Sequence, residues 1–280
     1  MQTPQDNFIQ IGPIKTRYWA EGSGEHAVIL LHGWYCFVEY WLPSFAVLAQ
    51  QHRVYALDLP GHGQTDKPSS FSYHAPDFAR FIREFMTALN IKRASLMGHS
   101  FGGAVLLHFA LQFPDVVDRL ILVDSAGLGK AFPFLLRLSS APMLGDILSN
   151  RPTRATMTLG QRLQVVNPAF LTKEWLDIVY RMAIRPGQAR SLLRTLRGMC
   201  NVFGQHQRFV EPIISGLRSI QHPTQIIWGR QDHIVPATHA QVAAQGIPHA
   251  RLHIFEQCGH RPMLEQTQSF NKTVLEFLDN

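Results

Sequence analysis

The sequence predicts an α/β fold in which a mostly parallel sheet of eight strands has helices on both faces. Three features of the chain support this prediction. Short apolar runs of the kind that form strands buried on both faces recur along the sequence, amphipathic helical patterns lie between them, and one long stretch has helical patterns alone. Strands that alternate with helices form parallel sheets, so we expect the all-helical stretch to interrupt a single sheet.

The predicted strands are short, and several end at turn residues. Residues 8–14 and 16–20 predict an initial hairpin. The later apolar runs span residues 27–31, 53–58, 94–97, 120–123, 225–228 and 251–255. Runs of this length without polar alternation fit the interior of a sheet that is covered on both faces.

Helical patterns fill most of the remaining chain. Residues 76–89, 101–113 and 262–278 carry apolar side chains at helical spacing, and Pro76 suits a first helical turn. Between Leu128 and Pro223 the pattern is helical throughout, without a good strand. We expect helices there near residues 133–148, 155–166, 172–184 and 188–203.

These patterns divide the chain into three segments. We expect residues 1–129 to form the first part of a core domain and residues 221–280 to form its second part. Residues 130–220 would be a helical cap, inserted after the sixth strand. A chain of 280 residues with 46% apolar content can bury a large core, which argues against intrinsic disorder.

A serine stands on a predicted tight turn between a strand and a helix, in the run Gly98-His99-Ser100-Phe101-Gly102. The turn is so tight that side chains at the two glycine positions would collide. It lifts the serine hydroxyl above the carboxyl edge of the sheet and places it at a helix N-terminus, where N–H groups and the helix dipole favour negative charge. This pattern predicts Ser100 as a nucleophile.

A serine nucleophile needs a base, and the base needs an orienting acid. Functional groups collect at the carboxyl ends of parallel strands. His260 follows the last predicted strand and Asp232 follows the strand before it, whereas Asp124, after an earlier strand, is a rival acid. The chain order Ser100, Asp232, His260 favours Asp232 as the group that holds the imidazole tautomer.

The turn after residues 27–31 supplies candidate groups for binding an oxyanion. In folds with a nucleophile on a strand–helix turn, one N–H comes from this turn and another from the residue after the nucleophile. That rule nominates the backbone N–H groups of Trp34 and Phe101. The candidate pocket residues around them are His32, Cys36, Phe37, His99 and Arg261.

The charge of the chain is unevenly distributed. The formal net charge is +6, but residues 130–218 hold 13 basic and 4 acidic residues, a net of +9, while the remainder is mildly acidic. Arginines at helical spacing form either a solvated helix face or an electropositive surface that steers an anionic substrate or docks an acidic carrier or a lipid surface. The chain has no aromatic–basic ladder, which argues against nucleic acid as a partner.

Cysteine usage and hydropathy bear on the compartment. Three widely spaced cysteines, Cys36, Cys200 and Cys258, argue against a disulfide framework and against a zinc site. The first residues lack the basic and apolar regions of a secretory signal. The longest uncharged apolar stretch, near residues 27–38, is about half of the roughly 20 residues that a membrane helix needs. We expect a cytoplasmic protein without a membrane span.

Five ordered motifs resemble those of the α/β-hydrolase fold family in its capped subgroup. They span residues 31–34 (Leu-His-Gly-Trp), 58–63, 98–102, 229–232 and 258–260. The resemblance implies acyl transfer to water, with Ser100 attacking a carbonyl, His260 taking its proton and the N–H groups of Trp34 and Phe101 holding the oxyanion. No metal and no organic cofactor is implied.

The resemblance leaves several reactions open. Epoxide hydrolases and haloalkane dehalogenases of this fold carry an aspartate where this chain has Ser100, which argues against both. The chain is also similar to the meta-cleavage-product C–C hydrolases, which usually carry Asn and Trp where this chain has His99 and Arg261. We expect a serine hydrolase acting on a carboxylic ester or thioester of a small to medium substrate. The alternatives are a C–C bond hydrolase and a receptor-like member that mainly binds its ligand.

Overall fold

The structure, a computed structural model, describes residues 3–149 and 152–279. The outermost residues of the predicted core, 1, 2 and 280, and residues 150 and 151 of the predicted cap lie outside this description. The described chain contains one eight-stranded sheet, a separate two-stranded pair and helices on both faces of the large sheet. The predicted α/β fold class is confirmed.

The large sheet is mostly parallel, as predicted. The strands are β1 (Asn7–Ile11), β2 (Ile14–Glu21), β3 (Ala27–Leu31), β4 (Arg53–Leu57), β5 (Ala94–His99), β6 (Val117–Val123), β7 (Cys200–Asn201), β8 (Gly204–Gln205), β9 (Thr224–Gly229) and β10 (Ala250–Phe255). The order across the large sheet is β1-β2-β4-β3-β5-β6-β9-β10. Strand β2 is antiparallel to β1 and to β4, and the other neighbouring pairs are parallel.

Helices cover both faces of this sheet and fill the long connection between β6 and β9. They are α1 (Leu42–Leu48), α2 (Ala75–Ala88), α3 (Phe101–Gln112), α4 (Phe134–Ser139), α5 (Leu144–Ser149), α6 (Arg154–Arg162), α7 (Lys173–Ala183), α8 (Gln188–Met199), α9 (Gln207–Gly216), α10 (Thr238–Gly246), α11 (Pro262–Glu265) and α12 (Thr267–Leu278). Helices α1 and α10 are absent from the sequence prediction, because they are short and carry no long apolar stripe.

Strand β3 shows how the sheet builds two cores. Its side chains alternate between the two faces, so Leu30 packs in the cluster that contains Phe45 of α1, whereas Ile29 packs in the cluster that contains Phe78 of α2. All four side chains are fully buried. Burial of such a side chain stabilises the fold by about 1.5–3 kcal/mol. The two cores fix the sheet, and its parallel strands end at one common edge.

The connection between β6 and β9 departs from the prediction in two places. A single helix over residues 133–148 was expected, but Pro142 separates α4 from α5, because proline has no N–H to donate and its ring clashes with the preceding turn. The expected helix over residues 188–203 ends at Met199, and the expectation that this stretch has no strand is wrong. The side chain of Asn201 accepts the N–H of Phe203 at 2.8 Å, and Gly204 has a φ of +122°, so a hairpin of β7 and β8 forms instead.

Two further features complete the fold. Helix α9 contains Pro212 and packs against α3 and α10 beside the large sheet. Within residues 3–149 and 152–279, no helix combines the length and apolar character that crossing a bilayer requires. All three cysteines are buried and unpaired.

Candidate active site

Ser100 lies on a tight turn between β5 and α3. Its φ is +54°, a left-handed conformation that side chains rarely adopt and that functional sites often retain. Two glycines permit the turn, because a Cβ at Gly98 would lie 2.6 Å from the carbonyl carbon of Gly102 and a Cβ at Gly102 would lie 2.5 Å from the carbonyl oxygen of Leu31. The turn places the serine at the N-terminus of α3, where the helix dipole favours negative charge.

Ser100, His260 and Asp232 are joined by two hydrogen bonds. Nε2 of His260 lies 3.0 Å from Oγ of Ser100, and its Nδ1 lies 2.7 Å from Oδ2 of Asp232. An ionised carboxylate can only accept, so Nδ1–H donates to Asp232 and Nε2 is left to accept the serine hydroxyl. In this tautomer His260 can take a proton from Ser100.

The backbone orients the carboxylate of Asp232. Its second oxygen, Oδ1, accepts the N–H groups of Ile234 at 2.7 Å and Val235 at 2.9 Å. Asp232 is 6% exposed and His260 is 3% exposed, so bulk water competes little for these bonds. The imidazole is therefore held in one orientation before any substrate arrives.

Asp124, the rival acid, lies at the end of β6, next to β9 in the sheet. Its Oδ1 accepts the N–H of Gly229 at 2.9 Å, and its fully buried carboxyl group also lies against that of Asp232. Burial, and then the negative charge of Asp232, raise the pKa of Asp124 well above its usual value. Asp124 therefore braces the turn after β9, whereas Asp232 contacts the imidazole.

Two buried histidines brace the loops around Ser100. Nε2–H of His99 donates to the carbonyl oxygen of His260 at 2.7 Å, because a carbonyl can only accept. Nε2 of His32 accepts the N–H of Leu59 at 3.0 Å, so its Nδ1–H donates to the carbonyl of Gly33 at 2.8 Å. Burial lowers the pKa of both rings, that of His99 well below its usual value. Both are neutral at pH 7 and support the site structurally.

The two candidate oxyanion donors belong to the residue after Ser100 and to the turn after β3. Phe101 is the first residue of α3, so its N–H has no acceptor within the helix. Trp34 follows Gly33, where a Cβ would lie 3.0 Å from the Cβ of Ser100. The turn after β3 is thus packed directly against the serine.

Cys36 and Phe37 line a narrow cavity of about 10 Å³ between the sheet edge and the inserted helices. Val179, Leu192 and other residues of α7 and α8 complete its wall. Trp34 joins the same two parts, because its Nε1–H donates to the carbonyl of Leu192 at 2.8 Å. Burial raises the pKa of the Cys36 thiol to about 11, so this group is a wall of the cavity and a poor nucleophile.

Arg261, directly after His260, is 1% exposed. Its guanidinium donates to the hydroxyl of Tyr40 at 3.2 Å, to Oε1 of Gln161, and to Oε1 of Gln164 at 2.7 Å. It also lies 4.6 Å from the centroid of the Tyr40 ring. Arg261 thus joins the loop that carries His260 to Gln161 on α6 and to Gln164, two residues beyond the end of that helix.

Glu265 makes a second tie between the same loop and the inserted helices. Its Oε1 accepts the N–H of Gly259 at 2.9 Å, and its Oε2 accepts the N–H groups of Val166 at 2.7 Å and Asn167 at 3.0 Å. The N–H of His260 donates to the carbonyl of Gln164 at 2.7 Å. Sequence reasoning missed Gln161, Gln164 and Glu265, because their partners lie about a hundred positions away and no local motif marks them.

One group of described residues is close enough to hold a metal ion. The ligand atoms of His99, Asp124 and His260 lie within 4.8 Å of one another. Both ring nitrogens of His260 already contact Ser100 and Asp232, and Nε2 of His99 is bound to a carbonyl. The hydrogen bonds that His99 and His260 make therefore explain why these three side chains lie close together.

A sheet of this order with a serine on the turn after its central strand defines an α/β hydrolase. The family model described as alpha/beta hydrolase fold matches residues 26–267, and the chain belongs to this family. An uncharacterized protein of Mycobacterium tuberculosis (strain ATCC 25618 / H37Rv), Rv2715, is 35% identical over 283 residues, which cover 99% of this chain and 82% of that protein.

Two further similar proteins carry names that describe an activity. The 2-hydroxymuconate semialdehyde hydrolase of Pseudomonas sp. (strain CF600) is 30% identical over 271 residues, 95% of this chain and 90% of that protein. A variant of CumD, the meta-cleavage product hydrolase of Pseudomonas fluorescens IP01, has a TM-score of 0.84 at 28% identity, over 98% of this chain and 97% of that chain.

Proposed function

We propose that this protein is a serine hydrolase that cleaves a carboxylic ester or thioester of a small to medium substrate through an acyl-enzyme. One observation carries the proposal. Nε2 of His260 lies 3.0 Å from Oγ of Ser100 while its Nδ1 lies 2.7 Å from Asp232. A hydroxyl so placed can lose its proton as it attacks, which is what acyl transfer at neutral pH requires.

In the first half-reaction Oγ of Ser100 adds to the carbonyl carbon while its proton moves to Nε2 of His260. The tetrahedral intermediate then collapses, the alcohol or thiol leaves with that proton, and an acyl-enzyme remains. In the second half-reaction His260 takes a proton from water as the water oxygen attacks the acyl carbon. The acid leaves, Ser100 regains its proton, and Asp232 stays ionised throughout.

We assign the oxyanion hole to the backbone N–H groups of Trp34 and Phe101. Each would donate to the carbonyl oxygen as it becomes negative in the tetrahedral intermediate. The position of Phe101 at the start of α3 and the close packing of Gly33 on Ser100 support this assignment. We also assign Cys36 and Phe37, which follow Trp34 on the loop after β3, to the substrate pocket.

The inserted segment, residues 130–220, would act as a cap over Ser100. The bonds from Trp34 to Leu192 and from His260 to Gln164 support this role, because both join the sheet edge to this segment. The segment holds 13 of the 26 basic residues but only 4 of the 20 acidic ones, and this net positive charge suits an anionic or carrier-bound substrate. The three unpaired cysteines suit a reducing compartment, and we place the protein in the cytoplasm.

A panel of p-nitrophenyl esters of increasing acyl length, together with a fluorophosphonate label, tests the proposal. The wild type should turn over short esters and take the label, and Ser100→Ala should lose both, with kcat at least about 10⁴-fold lower. Ser269→Ala is the matched control, because this serine is exposed on α12. Labelling that survives Ser100→Ala would contradict the proposal.

A second candidate is a C–C bond hydrolase acting on a vinylogous diketone acid. The names of the two similar proteins favour it. His99 and Arg261 separate the chain from the usual pattern of that group. A coloured dienoate ring-cleavage product should then be turned over about 100-fold better than the best ester, as kcat/KM. The reverse preference supports ester cleavage.

A further inference from the structure

Exposed apolar side chains are concentrated on the inserted segment. Six of them form what we call the apolar face: Phe134, Leu135, Met143, Ile147, Val202 and Phe203, which are 43% to 86% exposed. They lie on α4, on α5 and the turn directly before it, and at the tip of the β7–β8 hairpin. Single exposed apolar residues are ordinary, but a group of this size on one part of a surface marks an interaction site.

Packing and hydrogen bonds hold these elements together as one surface. Helix α4 packs against α5 and against β7, and α5 packs against α8. The N–H of Gln205 donates to the carbonyl of Lys130 at 3.0 Å. Arg197 on α8 donates to the carbonyls of Ser140 at 3.1 Å and Ala141 at 3.2 Å, between α4 and α5. The apolar face is therefore a fixed arrangement of three elements.

The shape of the face is a set of projections. Phe203 is 86% exposed at the hairpin tip, and Phe134 is 64% exposed in the first turn of α4. Apolar side chains that project from a surface are removed from water only by a partner that can deform to fit them. The fluid headgroup region of a bilayer does so without a preformed complementary pocket.

Basic residues lie close in sequence to the apolar side chains. Lys130 and Arg208 are exposed, and the guanidinium of Arg137 lies 5.6 Å from the ring centroid of Phe134. Residues 130–147 and 197–208 together hold four basic residues and one acidic residue, Asp146, which pairs with Arg197 at 2.8 Å. This positive charge disfavours a second copy of the chain as the partner, because two such faces would repel.

We propose that the apolar face docks on an anionic lipid bilayer, with Phe134 and Phe203 inserted at headgroup level and Lys130, Arg137 and Arg208 attracted to lipid phosphates. Apolar insertion and attraction to anionic lipid add to one another in peripheral binding. This surface lies outside the Ser100 site and does not depend on the reaction that Ser100 performs.

Cosedimentation with sucrose-loaded vesicles tests the proposal. The wild type should sediment with vesicles of equimolar phosphatidylcholine and phosphatidylglycerol, but not with pure phosphatidylcholine. Phe203→Ser should weaken this binding about tenfold, and Lys130→Gln or Arg208→Gln should each weaken it about fivefold, since one basic residue near an anionic surface supplies about that factor. Thermal unfolding of each variant checks that the fold is retained.

Matched control variants lie away from the face. Phe8→Ser removes an exposed phenylalanine from β1, and Lys92→Gln removes an exposed lysine before β5; both should bind vesicles as the wild type does. Three outcomes overturn the proposal: no sedimentation with anionic vesicles, equal sedimentation with neutral vesicles, or equal effects of Phe203→Ser and Phe8→Ser. Dimerisation that Phe203→Ser abolishes, without vesicle binding, would also overturn it and assign the face to self-association.

Discussion

Asp124 and Asp232 follow neighbouring parallel strands, and they carry different tasks. Asp232, after β9, lies 2.7 Å from Nδ1 of His260, whereas Asp124, after β6, accepts the N–H of Gly229 at 2.9 Å. Burial and the charge of Asp232 raise the pKa of Asp124. Asp232 can thus stabilise the imidazolium of His260, while Asp124 supports the turn that carries Asp232.

Exchanging each of these acids for its amide should separate the two tasks. Asp232→Asn should lower kcat about 10³- to 10⁴-fold, because an amide can no longer hold His260 as an ionised partner does. Asp124→Asn should lower kcat less than about tenfold, because the amide oxygen still accepts the N–H of Gly229. Steady-state kinetics on the best ester measures both, and equal losses would contradict the division of tasks.

Much of this arrangement could be predicted from the sequence. The serine on its turn and two acids at strand ends follow from local patterns, because parallel strands open their carboxyl ends at one edge. The contact of Asp232 with His260 depends on the paths of two loops. The N–H groups of Ile234 and Val235 hold the loop that carries Asp232, and Glu265 holds the loop that carries His260. These bonds span only two to six positions, but the contact of Asp232 with His260 spans 28, and no local sequence signal encodes the meeting of the two loops.

The glycine at position 98 should be indispensable for steric reasons. In Gly98→Ala the new Cβ would lie 2.6 Å from the carbonyl carbon of Gly102, a backbone atom that cannot move aside cheaply. We expect a loss of about 3 kcal/mol or more in the free energy of unfolding, or no folded protein. Chemical denaturation and soluble yield measure this.

Gly160→Ala is the control for this prediction. Gly160 lies inside α6, and a Cβ there would meet no atom within 4 Å. The change should stabilise the protein by about 0.5–1 kcal/mol, since alanine is the better helix former. Similar effects of the two substitutions would show that the crowding at position 98 is not the cause.

The connection between β6 and β9 shows where prediction from the sequence ends. The helical periodicity of α6, α7 and α8 is visible in the sequence, because each presents one apolar stripe. The β7–β8 hairpin has strands of only two residues each, too short for any alternation to appear. It forms because Asn201 and Gly204 favour a turn and because Gln205 finds a backbone partner in Lys130.

Stability should fall in acid because of buried neutral histidines. Burial lowers the pKa of His108 on α3 to about 4, whereas an unfolded chain titrates near 6.5. Between these values the unfolded state binds a proton that the folded state does not. The contribution of His108 to stability is therefore complete above pH 6.5 and is lost as the pH falls towards 4.

Unfolding measured against pH in wild type and His108→Leu checks this prediction. The wild type should lose about 2–3 kcal/mol more than the variant between pH 7 and pH 4. His253→Leu is the control, because that ring is exposed on β10, and it should follow the wild-type curve. A His108→Leu curve that parallels the wild type would remove His108 as a source of the acid sensitivity.

Salt should affect anionic substrates more than neutral ones if the basic helices steer them. Arg181, Arg185 and Arg190 are exposed on α7, α8 and their connection. The Debye length falls from about 8 Å at physiological ionic strength to about 3 Å at 1 M salt. For two p-nitrophenyl esters of equal length, kcat/KM should drop steeply with salt only for the one with a terminal carboxylate, and less steeply in Arg185→Gln. Identical salt curves would assign these arginines to a solvated helix face.

Arg261 should couple the stability of the inserted helices to the position of His260. Arg261→Leu would leave Oε1 of the half-buried Gln164 without this donor, and the buried Oε1 of Gln161 would keep only Tyr40 and Trp175. We expect a loss of about 2–4 kcal/mol in the free energy of unfolding, with kcat reduced more than KM is raised, because the N–H of His260 is bound to the carbonyl of Gln164.

Two variants make this last prediction decisive. Arg261→Lys keeps the charge but not the forked donors, so it should recover only part of the loss. Arg230→Gln removes an exposed arginine that pairs with Glu256, and it should leave both the unfolding midpoint and kcat nearly unchanged. If Arg261→Leu lowered stability but left kcat intact, Arg261 would support the fold alone and His260 would keep its position without it.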